Sequence, residues 1–344
     1  MLFSVVIPVF NEEDAIGFLL KALRDILARI ACDWEVIFVN DGSYDRTAEL
    51  VEREARNDSR IRLLSFGRNF GHQAAITAGL DFASGDAIVV MDADLQDPPE
   101  ILIDMLDKYY AGYDVVSAQR VSRASDSFFK RTTAAAFYWV MRRMVDERLM
   151  PEVGDFRLFS RPALQAIRRF REQHRFMRGL VAWLGLREAV VPFERKPRVA
   201  GQTKYPFWKM LRFAWTAISS FSALPLRLTV GLGACLFFVG LGYLGWAFVV
   251  ILSGQATLIR GWVSVIALQS LFFGATFLAI GVMGDYVGRI YEEIKCRPLY
   301  VVTSTVNLVP PSDGVPRSVV LANTERSRGL VREDITADHV LPRH

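Results

Sequence analysis

Near its N-terminus the chain alternates short unbroken apolar runs with longer stretches where apolar residues return every three or four positions. The runs at residues 3–10, 34–40, 61–65, 87–91 and 114–118 predict strands. The periodic stretches 12–30, 47–56 and around 73–82 predict helices. Asn11 is the expected N-cap of the first helix, and Pro98-Pro99 the expected opening of another. Strands that are apolar along their whole length need cover on both sides. The pattern therefore predicts an α/β fold with a mostly parallel sheet and helices on both faces.

Further along, the pattern changes. No charged residue lies between Leu228 and Ile259, or between Gly261 and Gly284, and only Arg260 separates the two stretches. Each exceeds the roughly 20 apolar residues that cross a bilayer. The expected organisation is an α/β domain over 1–205, an amphipathic interfacial helix over 206–225, membrane helices over 226–252 and 262–287, and a tail over 288–344, flexible beyond about 310. Phe207, Trp208 and Trp215 mixed with Lys209 and Arg212 carry the interfacial prediction. A link this short makes the two spans an antiparallel hairpin. Lys and Arg crowd both outer flanks, whereas the link has Arg260 alone. The positive-inside rule then puts the α/β domain and both termini on the cytoplasmic side of the inner membrane.

Composition narrows the classes. With 344 residues and 51% hydrophobic content, the chain is neither one ordinary soluble domain nor a disordered one. A net charge of +4 is modest, and nucleic acid is not among the expected partners. Cys32, Cys235 and Cys296 are odd in number and far apart, which argues against a disulfide framework or a structural zinc site. Residues 1–10 have no basic leader, so no secretory signal is expected.

Glu12, Asp41, Asp92, Asp94 and Arg120 all fall at or just after predicted strand ends, where ligands bind in open parallel sheets. Asp92 and Asp94 flank Ala93; on an extended segment they would share a face and address one hard cation such as Mg²⁺. The same residues suit a polar turn that ends a strand, and Asp41-Gly42-Ser43 suits an ordinary turn. His72 and His174 read as structural or surface residues.

Taken together, Val6-Ile7-Pro8-Val9-Phe10-Asn11-Glu12, Val39-Asn40-Asp41-Gly42-Ser43 and Met91-Asp92-Ala93-Asp94-Leu95-Gln96-Asp97-Pro98 resemble the family 2 glycosyltransferases of the GT-A fold. Gly154-Asp155-Phe156-Arg157-Leu158, residues 198–205 and the two spans resemble the polyprenyl-phosphate branch, which includes bactoprenol glucosyltransferases and dolichol-phosphate mannose synthase. Thr203 stands where a Ser is usual, keeping the hydroxyl. The resemblance implies an inverting membrane hexosyltransferase. It would move a sugar, glucose first, from a UDP-sugar to polyprenyl (undecaprenyl) phosphate and make a lipid-linked donor for surface glycans.

The resemblance also assigns roles. Pro8, Val9, Glu12, Asp41, Asp92 and Asp94 hold the sugar nucleotide, Asp41 through hydrogen bonds to the base. Asp92, Asp94 and Gln96 bind Mg²⁺ or Mn²⁺. Arg120, Lys130, Arg131, Arg198, Lys204 and Tyr205 grip the acceptor phosphate and the diphosphate, as guanidinium forks suit phosphate. Asp94, Arg120, Arg131 and Asp155 make up the catalytic set, Asp155 as an acceptor-site or sugar-binding carboxylate. The implied partners are the lipid bilayer and further copies of the chain (a tetramer), with a flippase and a downstream membrane glycosyltransferase.

A polyprenyl phosphate oxygen is already anionic near neutral pH, so the reaction needs no dedicated general base. A processive polysaccharide synthase normally carries Gln-x-x-Arg-Trp. The nearest match, Gln165-Ala166-Ile167-Arg168-Arg169, lacks the Trp. A non-enzymatic membrane scaffold would have no use for Asp41, Asp92 and Asp94 at strand ends. The motifs do not encode the sugar, so an N-acetylhexosamine, a modified pentose or mannose stays open beside glucose.

Overall fold

The structure, a computed structural model, describes residues 1–121, 153–194, 224–253 and 262–308. Strands β1 (Leu2–Val9), β2 (Asp33–Asn40), β3 (Ile61–Phe66) and β4 (Ala87–Val90) alternate with helices α1 (Glu13–Leu27), α2 (Thr47–Asn57) and α3 (His72–Phe82). Helix α4 (Ile101–Tyr110) leads to β5 (Val115–Arg120). Then come β6 (Val153–Ser160), α5 (Arg161–Arg168), α6 (Met177–Leu184) and β7 (Glu188–Phe193). Two long helices follow, α7 (Leu224–Leu252) and α8 (Trp262–Ile294), and the described chain closes on β8 (Val302–Val306).

The strands form one eight-stranded sheet in the order β7-β5-β6-β4-β1-β2-β3-β8. Six run the same way; β6 and β8 oppose them. The expected mostly parallel sheet with two covered faces is what forms. Phe3, Val5, Ile7 and Val9 of β1 pack with α1, α2 and α4 on one face, while Val6 packs with α3 on the other. In α1 the buried residues Ile16, Leu19, Leu20, Leu23 and Leu27 recur at helical spacing, and that stripe docks it on the sheet. Helix α3 lies so close to β1 that a Cβ on Gly79 would collide with Val6.

The C-terminal part departs from expectation in one respect. Helix α8 runs on to Ile294, and the segment after it returns to the sheet as β8, antiparallel to β3. The start of the tail is thus part of the catalytic domain's sheet. Tyr300, buried and stacked on Phe66 at 5.3 Å, anchors that return. Helices α7 and α8 pack against each other, with Gly240 facing Phe272. Both are long and apolar enough to cross a membrane, over Leu224–Val250 and Leu268–Ile294. Most of the predicted interfacial helix lies outside the described residues.

Candidate active site

The strand order reverses direction at β1, with β2 on one side and β4 on the other, so the loops beyond their carboxyl ends splay apart and leave a crevice. Pro8 and Val9 end β1 at this edge, both buried. Asn11 follows with φ of 54°, a left-handed conformation that Asn tolerates. It does not cap α1, which begins at Glu13 with Glu12 in the cap position and no side-chain cap bond. Instead Asn11 ties two loops together. Its N–H donates to Ser43 Oγ (3.0 Å), and its Oδ1 accepts from the Tyr44 N–H (2.8 Å). The Glu12 N–H donates to Thr47 Oγ1 (2.8 Å), which binds the same two loops.

Asp41 is buried at the end of β2. Its carboxylate accepts from the backbone N–H groups of Phe70 (2.7 Å) and Gly71 (3.0 Å), just before α3. Burial raises its pKa, and those two bonds and His72 oppose the rise. A carboxylate has about four acceptor positions, so these bonds leave capacity for a further donor.

Asp92 and Asp94 are near enough to interact electrostatically, but they do not lie on the extended segment expected. Strand β4 stops at Val90 and the chain turns, with Leu95 at φ of 55° and Asp94 Oδ1 accepting from the Gln96 N–H at 3.1 Å. About a third of the Asp92 side chain is exposed. Burial of the rest raises its pKa, His72 opposes the rise, and the nearby carboxylates of Asp155 and Asp94 add to it.

Asp155 lies on β6 at the opposite wall, where the antiparallel strand brings it level with the end of β4. Gln73 Nε2 donates to its Oδ2 (3.0 Å) and Arg178 Nε to its Oδ1 (3.4 Å). Burial works to raise its pKa, but Arg178, with His72 and Arg157, outweighs that and holds it low. Asp155 is therefore held ionised with a lowered pKa, which suits a hydrogen-bond acceptor and makes it a weak general base.

His72 is exposed, as the sequence reading expects, and it also lies beside the site carboxylates. Its Nε2 stands 3.5 Å from Asp92 and 3.7 Å from Asp155, bridging the two walls. Gln73 and Arg178 also belong to this constellation, and neither carries a local signal in the sequence. They meet Asp155 across 82 and 23 residues of chain. The Gly71 break before a helix start was the one available hint for His72 and Gln73. His174 lies elsewhere, paired with Glu292 at 2.7 Å. Arg120, at the end of β5, is 3.9 Å from buried Asp97 and lies close to Gly154. Lys130, Arg131, Arg198, Lys204 and Tyr205 lie outside the described residues.

Among the described residues no three His, Cys, Asp or Glu side chains group tightly enough to chelate an ion unaided. The donor chemistry nonetheless fits a hard divalent cation. Mg²⁺ takes one or two carboxylates and completes its shell with substrate phosphates and water. The repulsion that Asp155 and Asp94 exert on Asp92 is what a cation would relieve.

A mostly parallel mixed sheet with carboxylates gathered beyond its carboxyl edge is GT-A-like, and two packed apolar helices of membrane-spanning length follow it. The chain belongs to glycosyl transferase family 2, whose family pattern matches residues 4–168. It is 43% identical over 306 residues to the uncharacterized glycosyltransferase YkcC of Bacillus subtilis, covering 89% of this chain and 94% of that one. It is 39% identical over 303 residues to the prophage bactoprenol glucosyl transferase homolog of Escherichia coli, covering 88% and 98%. The bactoprenol glucosyl transferase of Shigella phage SfV matches at 39% over 305 residues, covering 88% and 98%. Among solved structures, glucosyl-3-phosphoglycerate synthase from Mycobacterium tuberculosis with Mn²⁺, UDP-glucose and phosphoglyceric acid is similar at 18% identity. Its TM-score is 0.45, over 63% of this chain and 77% of that one.

Proposed function

We propose that this enzyme transfers glucose from UDP-glucose to the phosphate of undecaprenyl phosphate, with inversion, at the cytoplasmic face of the membrane. The observation that carries the reading is the extent of the match. Relatives named bactoprenol glucosyl transferases agree with this chain across 88% of its length, beyond the catalytic domain and into the two apolar helices. The site chemistry supports it. Pro8, Val9 and Glu12 line the loop where the nucleoside would lie, and Asp41 shapes the neighbouring wall while offering acceptors to the base. Asp92, Asp94 and Gln96 would hold Mg²⁺ or Mn²⁺, which when bound neutralises negative charge on the departing diphosphate.

The protein's own residues do the positioning. Asp155, held ionised by Arg178, His72 and Arg157, offers acceptors to sugar hydroxyls. Arg120, with Lys130 and Arg131, supplies cations for the incoming lipid phosphate; Arg198, Lys204 and Tyr205, outside the described residues, supply contacts to the diphosphate. That phosphate is its own nucleophile, so orientation and electrostatics carry the reaction without a proton acceptor.

The test uses the purified full chain in nanodiscs with undecaprenyl phosphate, Mg²⁺ or Mn²⁺, and a panel of sugar nucleotides. Glucosyl lipid formed from UDP-glucose is expected. Preference for another sugar nucleotide would replace glucose in the assignment. A growing polymer would make the protein a processive synthase, and no transfer from any donor would overturn the reading.

A further inference from the structure

Helix α3 touches the candidate site at one end and the seat of the membrane helix at the other. At its N-terminal end the Gly71 N–H binds Asp41, His72 bridges Asp92 and Asp155, and Gln73 holds Asp155. At its C-terminal end stands Asp81, 1% exposed. An acid in the last turn of a helix opposes the helix dipole, and α3 has no basic residue there to offset it. Asp81 therefore does nothing for α3 as an isolated helix.

What holds Asp81 comes from far away in the chain. Arg171 donates to both of its oxygens, Nη1 to Oδ2 at 2.7 Å and Nη2 to Oδ1 at 3.0 Å. Tyr300 donates its hydroxyl to Oδ2 at 2.6 Å. Burial and the Asp81 charge push the Tyr300 phenol far above its ordinary range, so it keeps the proton it donates. Arg168 covers the free carbonyls of Leu80 and Ala83 at the same helix end.

Both partners of Asp81 are tied to helix α8. Arg171 precedes Gln173, whose N–H donates to Glu293 (3.0 Å) and whose side-chain amide donates to the Arg297 carbonyl (2.5 Å). His174 pairs with Glu292 at 2.7 Å. Tyr300 itself follows α8 and leads into β8. Contacts thus run from α8 through Arg171 and Tyr300 to Asp81, along the roughly 16 Å of α3, and into the His72 and Gln73 contacts.

We propose that Asp81, Arg171 and Tyr300 are positioning residues for the transfer reaction: a joint that holds helix α3, and with it the Asp155 wall of the site, at a set orientation to membrane helix α8. The proposal rests on the functional reading above. A lipid-borne phosphate arrives at a level set by the membrane, whereas the sugar nucleotide arrives from solution. Only the acceptor step therefore depends on how the site is oriented to α8.

The experiment uses the full chain with Cys32, Cys235 and Cys296 replaced by Ser. Spin labels go at Tyr110 and Tyr291, both exposed, in phosphatidylcholine–phosphatidylglycerol nanodiscs. The parent is compared with Tyr300→Phe and with the double variant Arg171→Gln/Tyr300→Phe. The label-to-label distance distribution should be narrow in the parent and broaden in the double variant. UDP-glucose affinity should stay unchanged, while turnover of undecaprenyl phosphate falls roughly tenfold to a hundredfold, the scale of a small misplacement. A short-chain, water-soluble prenyl phosphate in detergent should be used as the parent uses it.

An unchanged distance distribution, equal loss on both acceptors, or collapse of donor affinity would each overturn the joint. Tyr300→Phe keeps the ring on Phe66 and removes only the hydroxyl, so it decides the matter if the double variant does not fold. If the parent makes no glucosyl lipid at all, the functional reading fails. The distance measurement then decides the joint without it.

Discussion

Asp92 and Asp155 face the same crevice with opposite charge preferences. Burial and neighbouring carboxylates raise the pKa of Asp92, whereas Arg178, His72 and Arg157 overcome burial and lower that of Asp155. The signs follow by linkage. Asp155 contributes stability that is present above the ordinary carboxylate pKa and lost as pH falls through its lowered value. Ionised Asp92 is a strain on the fold that sets in as pH rises through its raised value. Asp155→Asn should therefore lower the thermal midpoint at neutral pH, with the deficit closing in acid, while Asp92→Asn raises it. Thermal melts against pH check both, and equal shifts of one sign would refute the contrast. Asp94→Asn should leave the thermal midpoint at or slightly above the parent's and reduce transfer on the order of a hundredfold or more, as loss of one electrostatic contact at a reacting group does. Near-parental activity would remove Asp94 from the site. Arg131→Ala should lose a charge-assisted contact of ~1.5–3 kcal/mol, roughly 10- to 150-fold in acceptor turnover, with UDP-sugar affinity little changed. Arg131→Lys should recover only part, because an ammonium lacks the fork. Loss of donor affinity instead would move Arg131 to the nucleotide side.

At the scale of elements, α3 is the piece on which the site hangs, and its fit against β1 is tight. Gly79→Ala would raise intrinsic helix propensity by about 1 kcal/mol, but it drives a methyl into Val6 on a central strand. Overpacking of that kind costs ~1–3 kcal/mol, so stability should fall or at best break even. Because α3 must shift outward to make room, His72 and Gln73 move with it. Transfer activity should then fall by more than the melting shift accounts for. Gly17→Ala on α1, where a Cβ meets nothing within 4 Å, is the control and should stabilise. The strands and helices of this half were legible in the sequence because runs and periods are local. The Asn11 tie and the turn at Leu95 were not. Each depends on a partner loop or a backbone angle that the pattern of polar and apolar positions does not record.

For the whole molecule, the charge pattern sets the expected topology, with both termini cytoplasmic and only the link around residues 253–261 outside. A cysteine replacing Gln255, with the three native cysteines removed, should react with an impermeant thiol reagent in intact cells, and one replacing Ser312 should not. Labelling at Ser312 alone would invert the orientation. The β3–β8 pairing bears on the same point, since it places residues 302–306 on the same side as the sheet. Any topology that separates the catalytic domain from the end of α8 is incompatible with that pairing.

Taken alone, the sequence determined the alternation of strands and helices, the two membrane-length helices, and the cluster of Glu12, Asp41, Asp92, Asp94 and Arg120 at strand ends. All of these are written in local spacing, and solvent and lipid act on local spacing directly. Only the tertiary structure decided that His72, Gln73 and Arg178 converge on Asp155, that Asp92 and Asp155 take opposite charge preferences, and that the chain beyond α8 returns as β8 with Tyr300 against Asp81. Those features are contacts between residues tens to hundreds of positions apart. Their energies arise from burial and from charges brought close by the fold, and no window of sequence contains both partners.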